Sequence, residues 1–148
     1  MLKLWNKKGF TIIELLIVIT VIAILIGIAL PRFRGIQEEG NIARAKGELR
    51  TLQTGVESYL MHQGKLPTAL ADLVKSDTKP NLVGSDTPKD PFTSGSEYLY
   101  SVSGNYYIIY SVGPSGAGAP SVNDAGEVTA DADAIYSSNG KPKTVAVP

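Results

Sequence analysis

A single carboxylate, Glu14, stands inside the run FTIIELLIVITVIAILIGIALP, from Phe10 to Pro31. A charged carboxylate in a bilayer costs about 3 kcal/mol at mid-membrane, so it demands a cation or a proton. Lys7 and Lys8 precede the run and can snorkel toward it from the interface. If the chain is cut after Gly9, those lysines leave, and a new α-amine appears on Phe10, four residues from Glu14. The chemistry in prospect is charge pairing, not bond making. The chain has one histidine, His62, no cysteine and no phosphate-cradling glycine loop ahead of a helix, so no catalytic set assembles. His62 falls near the end of a long helical pattern, where a cation meets the helix dipole favourably.

The elements that must position Glu14 follow from composition and period. The 148 residues suit one small module, and the apolar run is confined to one end. Net charge is zero, and no cluster of Lys and Arg is interleaved with aromatics downstream, which argues against a nucleic-acid partner. Absence of cysteine excludes a disulfide framework and any thiolate metal site. Lys3, Lys7 and Lys8 keep the N-terminus cytoplasmic by the positive-inside bias and place the rest of the chain outside. The run of roughly 20 residues exceeds the usual core of a secretory signal, although Gly27-Ile28-Ala29 offers a small-x-small cleavage site. A plain membrane anchor accounts for the length but leaves Glu14 without a purpose.

Beyond the span, Ile42, Ala45, Leu49, Leu52, Val56 and Tyr59 recur at steps of three and four and predict one buried helical stripe. Glu38, Glu39, Arg44, Lys46, Glu48, Arg50 and Glu57 take the other faces, as a solvated surface or as intersubunit salt bridges. A helix from Phe10 to about His62 extends ~80 Å at 1.5 Å per residue, against ~30 Å for the remaining globule. The N-terminal half is therefore expected to protrude and, out of lipid, to bury itself against copies of itself. Pro31 removes one amide donor, and Gly27, Gly35 and Gly40 lower propensity, so a kink or melted turn is expected at Gly27 to Pro31.

After Gly64, KLPTALADLV reads as a short helix with Leu70, Leu73 and Val74 inward. EYLYSV and NYYIIYSV, separated by Ser103-Gly104, read as a hairpin whose tyrosines pack on both sheet faces. The following GPSGAGAPSVNDAGEVTADADAIYSSNG holds too few large apolar residues for a core strand before Ile135 and Tyr136, and reads as a long functional loop.

The segment KKGFTIIELLIVITVIAILIGIALP resembles the N-terminus of type IV pilins and pseudopilins. That resemblance implies an α+β, pilin-like fold: a long N-terminal helix packed on a small antiparallel sheet. The expected divisions are a cleaved leader at 1–9, a transmembrane and filament-core half at 10–31, an amphipathic half at 32–63 and a β-rich head at 64–148. It implies cleavage between Gly9 and Phe10 by a prepilin peptidase, which also methylates the Phe10 amine, and an assembly role for Glu14 against a neighbour's amine. In such filaments the neighbourhood matching Gly27 to Pro31 tends to lose helical order on assembly.

Leu66-Pro67-Thr68, Asp90-Pro91-Phe92, YYIIYSVGPSG and DADAI, in that order, resemble the head of the major pseudopilin of type II secretion. This implies a calcium ion held by the Val112 carbonyl, Asp131 and Asp133, with Ser115 standing where that family usually carries an aspartate. Asn123, Asp124 and Glu127 are further oxygen donors nearby. The function implied is a homopolymer, a periplasmic pseudopilus, built from the inner membrane with an assembly platform and minor pilins or pseudopilins. The alternatives are the major subunit of a surface type IV pilus, extracellular and serving adhesion, motility or DNA uptake, and a monomeric membrane-anchored binding module.

Overall fold

The computed structural model describes residues 9–74, 86–131 and 133–142, and the leader residues before Gly9 lie outside them. Two units emerge, residues 1–37 and 38–148. A helix, α1, runs Ile12–Gln63. Its first part is apolar on every side, with Ile12, Leu16, Ile19, Ile22 and Ile26 all exposed. An apolar surface without a polar face is what a bilayer or a filament interior accommodates, and this helix is long and apolar enough to cross a membrane.

No melted turn interrupts α1. Gly27 and Pro31 both lie within unbroken helix in the single chain, and loss of helical order on assembly is a property of the filament. A proline removes one ladder donor, and the bonds of the turns on either side suffice to carry the helix through. The helix ends at Gly64, whose φ of 69° suits a left-handed C-terminal cap and whose amide donates to the Leu60 carbonyl at 2.8 Å.

In the second unit, Ala45, Leu49, Leu52 and Val56 are buried, as their spacing predicts. They pack against Leu70 and Leu73 of a single 3-10 turn, Leu70–Leu73, and against Tyr98, Tyr107 and Ile109. Strands β1 (Leu99–Ser103), β2 (Tyr106–Ser111) and β5 (Ile135–Ser138) form an antiparallel sheet in the order β1-β2-β5. The hairpin turn falls on Gly104-Asn105, one residue later than expected, with Gly104 at φ 57°. The 117–134 stretch is not a plain loop: β3 (Ser121–Val122), β4 (Glu127–Thr129) and β6 (Lys141–Pro142) make a second small sheet. Val122 and Val128 bury themselves on Ile108, with Tyr106 and Tyr110 beside them. Two valines suffice because β2 already offers an apolar outer face.

Polar bonds tie the sheet to α1. Tyr98 donates to the Glu48 carboxylate at 2.6 Å, Tyr107 to Glu57 at 3.2 Å, and Ser137 to the Gln53 carbonyl oxygen. Burial, then the Glu48 carboxylate, pushes the Tyr98 phenol well above its ordinary value of 10.0. Burial, then Glu57, does the same to Tyr107, and burial, then Asp72, to Tyr100. A phenol whose folded pKa is raised holds its proton while the unfolded chain loses it, so folding stability is intact below about pH 10 and falls above it. The melting temperature of the head is expected to stay level to about pH 9 and to drop steeply beyond pH 10. Replacing Tyr98, Tyr100 and Tyr107 by Phe should flatten that drop, and an equally steep drop in the triple variant would refute the assignment.

Candidate functional site

The first candidate site is the start of α1. Thr11 and Glu14 form a reciprocal cap: the Thr11 amide and hydroxyl donate to Glu14 Oε2 at 2.8 and 2.7 Å, and the Glu14 amide donates to Thr11 Oγ1 at 3.3 Å. Thr-x-x-Glu ahead of an apolar run is the capping-box pattern, which satisfies helix donors that otherwise lack partners. Thr11 escapes a reading that looks only for charges, although its spacing from Glu14 carries the signal. Glu14 thus has a neutral partner within its own chain. Phe10, 82% exposed, and Gly9, also exposed, precede the cap, so the Gly9–Phe10 junction stands outside the helix.

The second candidate site is the loop between β2 and β3 with the segment before β5. The Val112 carbonyl accepts from the Gly118 amide at 2.9 Å, and a turn closes from the Gly116 amide to the Gly113 carbonyl at 3.0 Å. A Cβ on Gly118 would lie 2.8 Å from the Val112 carbonyl oxygen and 2.9 Å from Ala134 Cα, and one on Gly113 would overlap the Asp133 carbonyl. Residues 113–118 are therefore in direct contact with Asp133 and Ala134. Asp131 Oδ2 accepts from the Ala119 amide at 3.4 Å, and the Ser115 hydroxyl turns onto the Ala117 amide at 3.3 Å.

Asp90, 3% exposed, supports this loop from beneath. Its Oδ1 accepts from Ser111 Oγ at 2.8 Å and from the Phe92 amide at 3.0 Å, and Ser111 Oγ accepts from the Gly113 amide at 3.1 Å. The Asp-Pro-Phe motif thereby reaches the loop through one hydroxyl, a link that sequence spacing does not reveal. Two carboxylates and main-chain carbonyls are hard donors of the kind calcium takes. They are few: among the described residues, no group of three or more His, Cys, Asp or Glu is placed to hold a metal ion.

A capped, exposed apolar helix carrying one carboxylate, continued by an amphipathic stripe under a small antiparallel sheet, is the architecture of a pilin-like subunit. Residues 6–30 match the prokaryotic N-terminal methylation motif, and residues 32–129 match protein G of the type II secretion system (T2SS). The chain belongs to the T2SS protein G family. It is 26% identical over 131 residues to type II secretion system core protein G of Pseudomonas aeruginosa, covering 81% of this chain and 92% of that protein. The Escherichia coli K12 core protein G is 27% identical over 124 residues, or 75% of this chain and 84% of its own. The type IV major alpha-pilin of Moraxella bovis is 38% identical over 85 residues, or 57% of this chain, which spans about half, 53%, of that pilin. No solved structure matches the chain.

Proposed function

We propose that the chain is the repeating subunit of a type II secretion pseudopilus, held in the inner membrane by residues 10–31 with its N-terminus cytoplasmic until it is drawn into the filament. The observation that carries this reading is the protein G match over residues 32–129, joined to an apolar helix whose side chains are exposed in the single chain. Such a surface is stable only in lipid or against copies of itself. Glu14 sets the axial register by pairing with the methylated Phe10 amine of a neighbour, exchanging its Thr11 donors for a cation. A prepilin peptidase and methyltransferase prepares that amine, and an assembly platform with minor pseudopilins starts the filament.

The test is expression of the full chain with its peptidase. The mature chain is expected to begin at Phe10 with one added methyl group by intact mass, and to appear in sheared filaments. A mature chain beginning at Leu30 would remove the core-forming segment and end this reading. A surface type IV pilus is the second reading, favoured by the likeness to the Moraxella pilin in the N-terminal part. Deleting the gene separates the two, since loss of protein export with motility intact supports the pseudopilus and the converse supports the pilus.

Calcium belongs to the same proposal. The Val112 carbonyl, Asp131 and Asp133 would hold the ion, which when bound supplies positive charge joining the two contacting segments. With serine at 115 in place of a carboxylate, the affinity is expected to be low, since carboxylate count tunes it. A ligand that binds only the folded state raises stability, so millimolar calcium is expected to raise the melting temperature, and Asp131→Ala with Asp133→Ala to abolish the increment. No increment, with no heat of binding on titration, would leave the loop held by packing and hydrogen bonds alone.

A further inference from the structure

The chain contains one Asn-Gly pair, Asn139-Gly140, and it forms the corner between β5 and β6. Asn139 Oδ1 accepts from the Tyr107 amide at 2.8 Å, and Nδ2 donates to the Asn105 carbonyl at 3.0 Å, so one side chain clasps the start of β2. That arrangement needs a donor and an acceptor on one planar group, which an amide supplies. Gly140 is required by space: a Cβ there would lie 2.6 Å from the Gly126 carbonyl oxygen and 3.0 Å from Val128 Cγ2. Its amide donates to Ser138 Oγ at 2.9 Å, and the following amide, of Lys141, donates to the Gly126 carbonyl at 2.7 Å. The corner therefore fastens the β3–β4–β6 sheet to the end of β5.

The pair that the corner needs is also a pair prone to react with itself. Asparagine is thermolabile because the next backbone nitrogen attacks its side-chain amide carbon, and glycine, with no Cβ, hinders that approach least. In this step the Gly140 nitrogen bonds to Asn139 Cγ and gives up its proton, the Cγ–Nδ2 bond breaks, and ammonia leaves with that proton. Water then opens the cyclic imide at either carbonyl, leaving aspartate or isoaspartate, and Asn139 is exposed to water. In the closed corner both reactants are engaged, Asn139 by Tyr107 and Asn105, and the Gly140 amide by Ser138. Bringing Cγ onto the Gly140 nitrogen breaks those bonds.

Neither product fits the closed corner. Aspartate sets an oxygen where Nδ2 met the Asn105 carbonyl, acceptor against acceptor. Isoaspartate adds a methylene to the main chain ahead of Gly140, where the Gly126 carbonyl leaves no space for a further atom. We propose that Asn139 is a site of spontaneous deamidation gated by this corner: the closed form keeps it unreacted, opening exposes it, and the modified chain no longer closes properly. An opening that lasts long enough to react is thus recorded irreversibly in the covalent chain. The β3–β4–β6 layer suits such opening, because its apolar hold is one small cluster, Val122 and Val128 on Ile108. The inference is independent of the filament and calcium readings.

The full chain in detergent micelles, native or unfolded in urea at one mildly alkaline pH, is followed by fragment mass spectrometry. In urea, Asn139 is expected to convert to aspartate and isoaspartate faster than any other asparagine. In the native chain the conversion should be at least about tenfold slower, the scale set by a local opening. Ser138→Ala frees the Gly140 amide, and should speed the native conversion several-fold without changing the rate in urea. Asn139→Asp, which installs the aspartate product, should lower the melting temperature by about 5 °C. Equal rates in the native and unfolded chains, or no conversion of Asn139 in urea, would overturn the proposal. So would a folded Ser138→Ala chain that reacts at the unsubstituted rate, or an Asn139→Asp chain of unchanged melting temperature. The comparison of native and unfolded rates uses the unsubstituted chain, so it decides even where a variant fails to fold.

Discussion

Glu14→Ala is expected to insert in the membrane and lose its leader normally, yet to yield roughly thirtyfold fewer filaments or none. The substitution makes the span more apolar, so insertion has no reason to fail. Under the proposed pairing it leaves the Phe10 amine of a neighbour without its counter-charge, and a hydrogen bond to a charged group contributes about 2 kcal/mol, a factor of about thirty per contact. Repetition at every subunit compounds the loss. Alanine also removes the acceptor for the Thr11 amide and hydroxyl, so the helix start is disturbed at the same time. Glu14→Gln separates the two roles, because an amide oxygen still accepts from Thr11 but carries no charge. Gln is expected to preserve the cap and to assemble as poorly as Ala. Filaments at full yield from the Gln variant would assign Glu14 to capping and refute the docking charge.

Gly113→Val is expected to destabilise the head by about 3 kcal/mol, the combined scale of left-handed strain and overpacking. For a unit of this size that corresponds to a fall of roughly 15 °C in melting temperature. Gly113 has φ 71°, and its missing Cβ leaves space that the Asp133 carbonyl fills. A second glycine provides the control: Gly95 has φ 90° with nothing within 4 Å of a Cβ. Gly95→Val carries the strain alone, so the difference between the two variants reads the clash against the 131–134 segment. Equal losses would mean that this segment does not pack on the loop, and would remove the ground for a calcium ion joining them.

Reading the chain without coordinates succeeds where structure is dictated locally. The span, its one carboxylate and the stripe from Ala45 to Val56 are all features of neighbours within a turn or two, and the helix carries them as spaced. Thr11 belongs to this local class too and is found by its spacing from Glu14 once helix capping, and not charge alone, is sought. The tyrosine-rich hairpin is likewise legible, because alternation and a glycine turn act over a few residues.

What the sequence by itself determined, then, is which residues leave water and at what period, since a period of 3.6 or 2 records one buried face of a segment. Only the tertiary structure decided what meets that face. Tyr98 and Glu48 lie 50 residues apart, as do Tyr107 and Glu57, and nothing in either neighbourhood selects its partner. The β3–β4–β6 layer escapes the pattern because two short strands bury one valine each, too few for a period to register. Their burial is made possible by Ile108 on β2, whose outward face has no cover until the chain returns to it. Asp90 reaches Gly113 only through Ser111, and Asn139 meets the Tyr107 amide only because β5 lies alongside β2. Each is a contact between segments far apart in the chain, chosen by how surfaces fit once the helix and the sheet have formed.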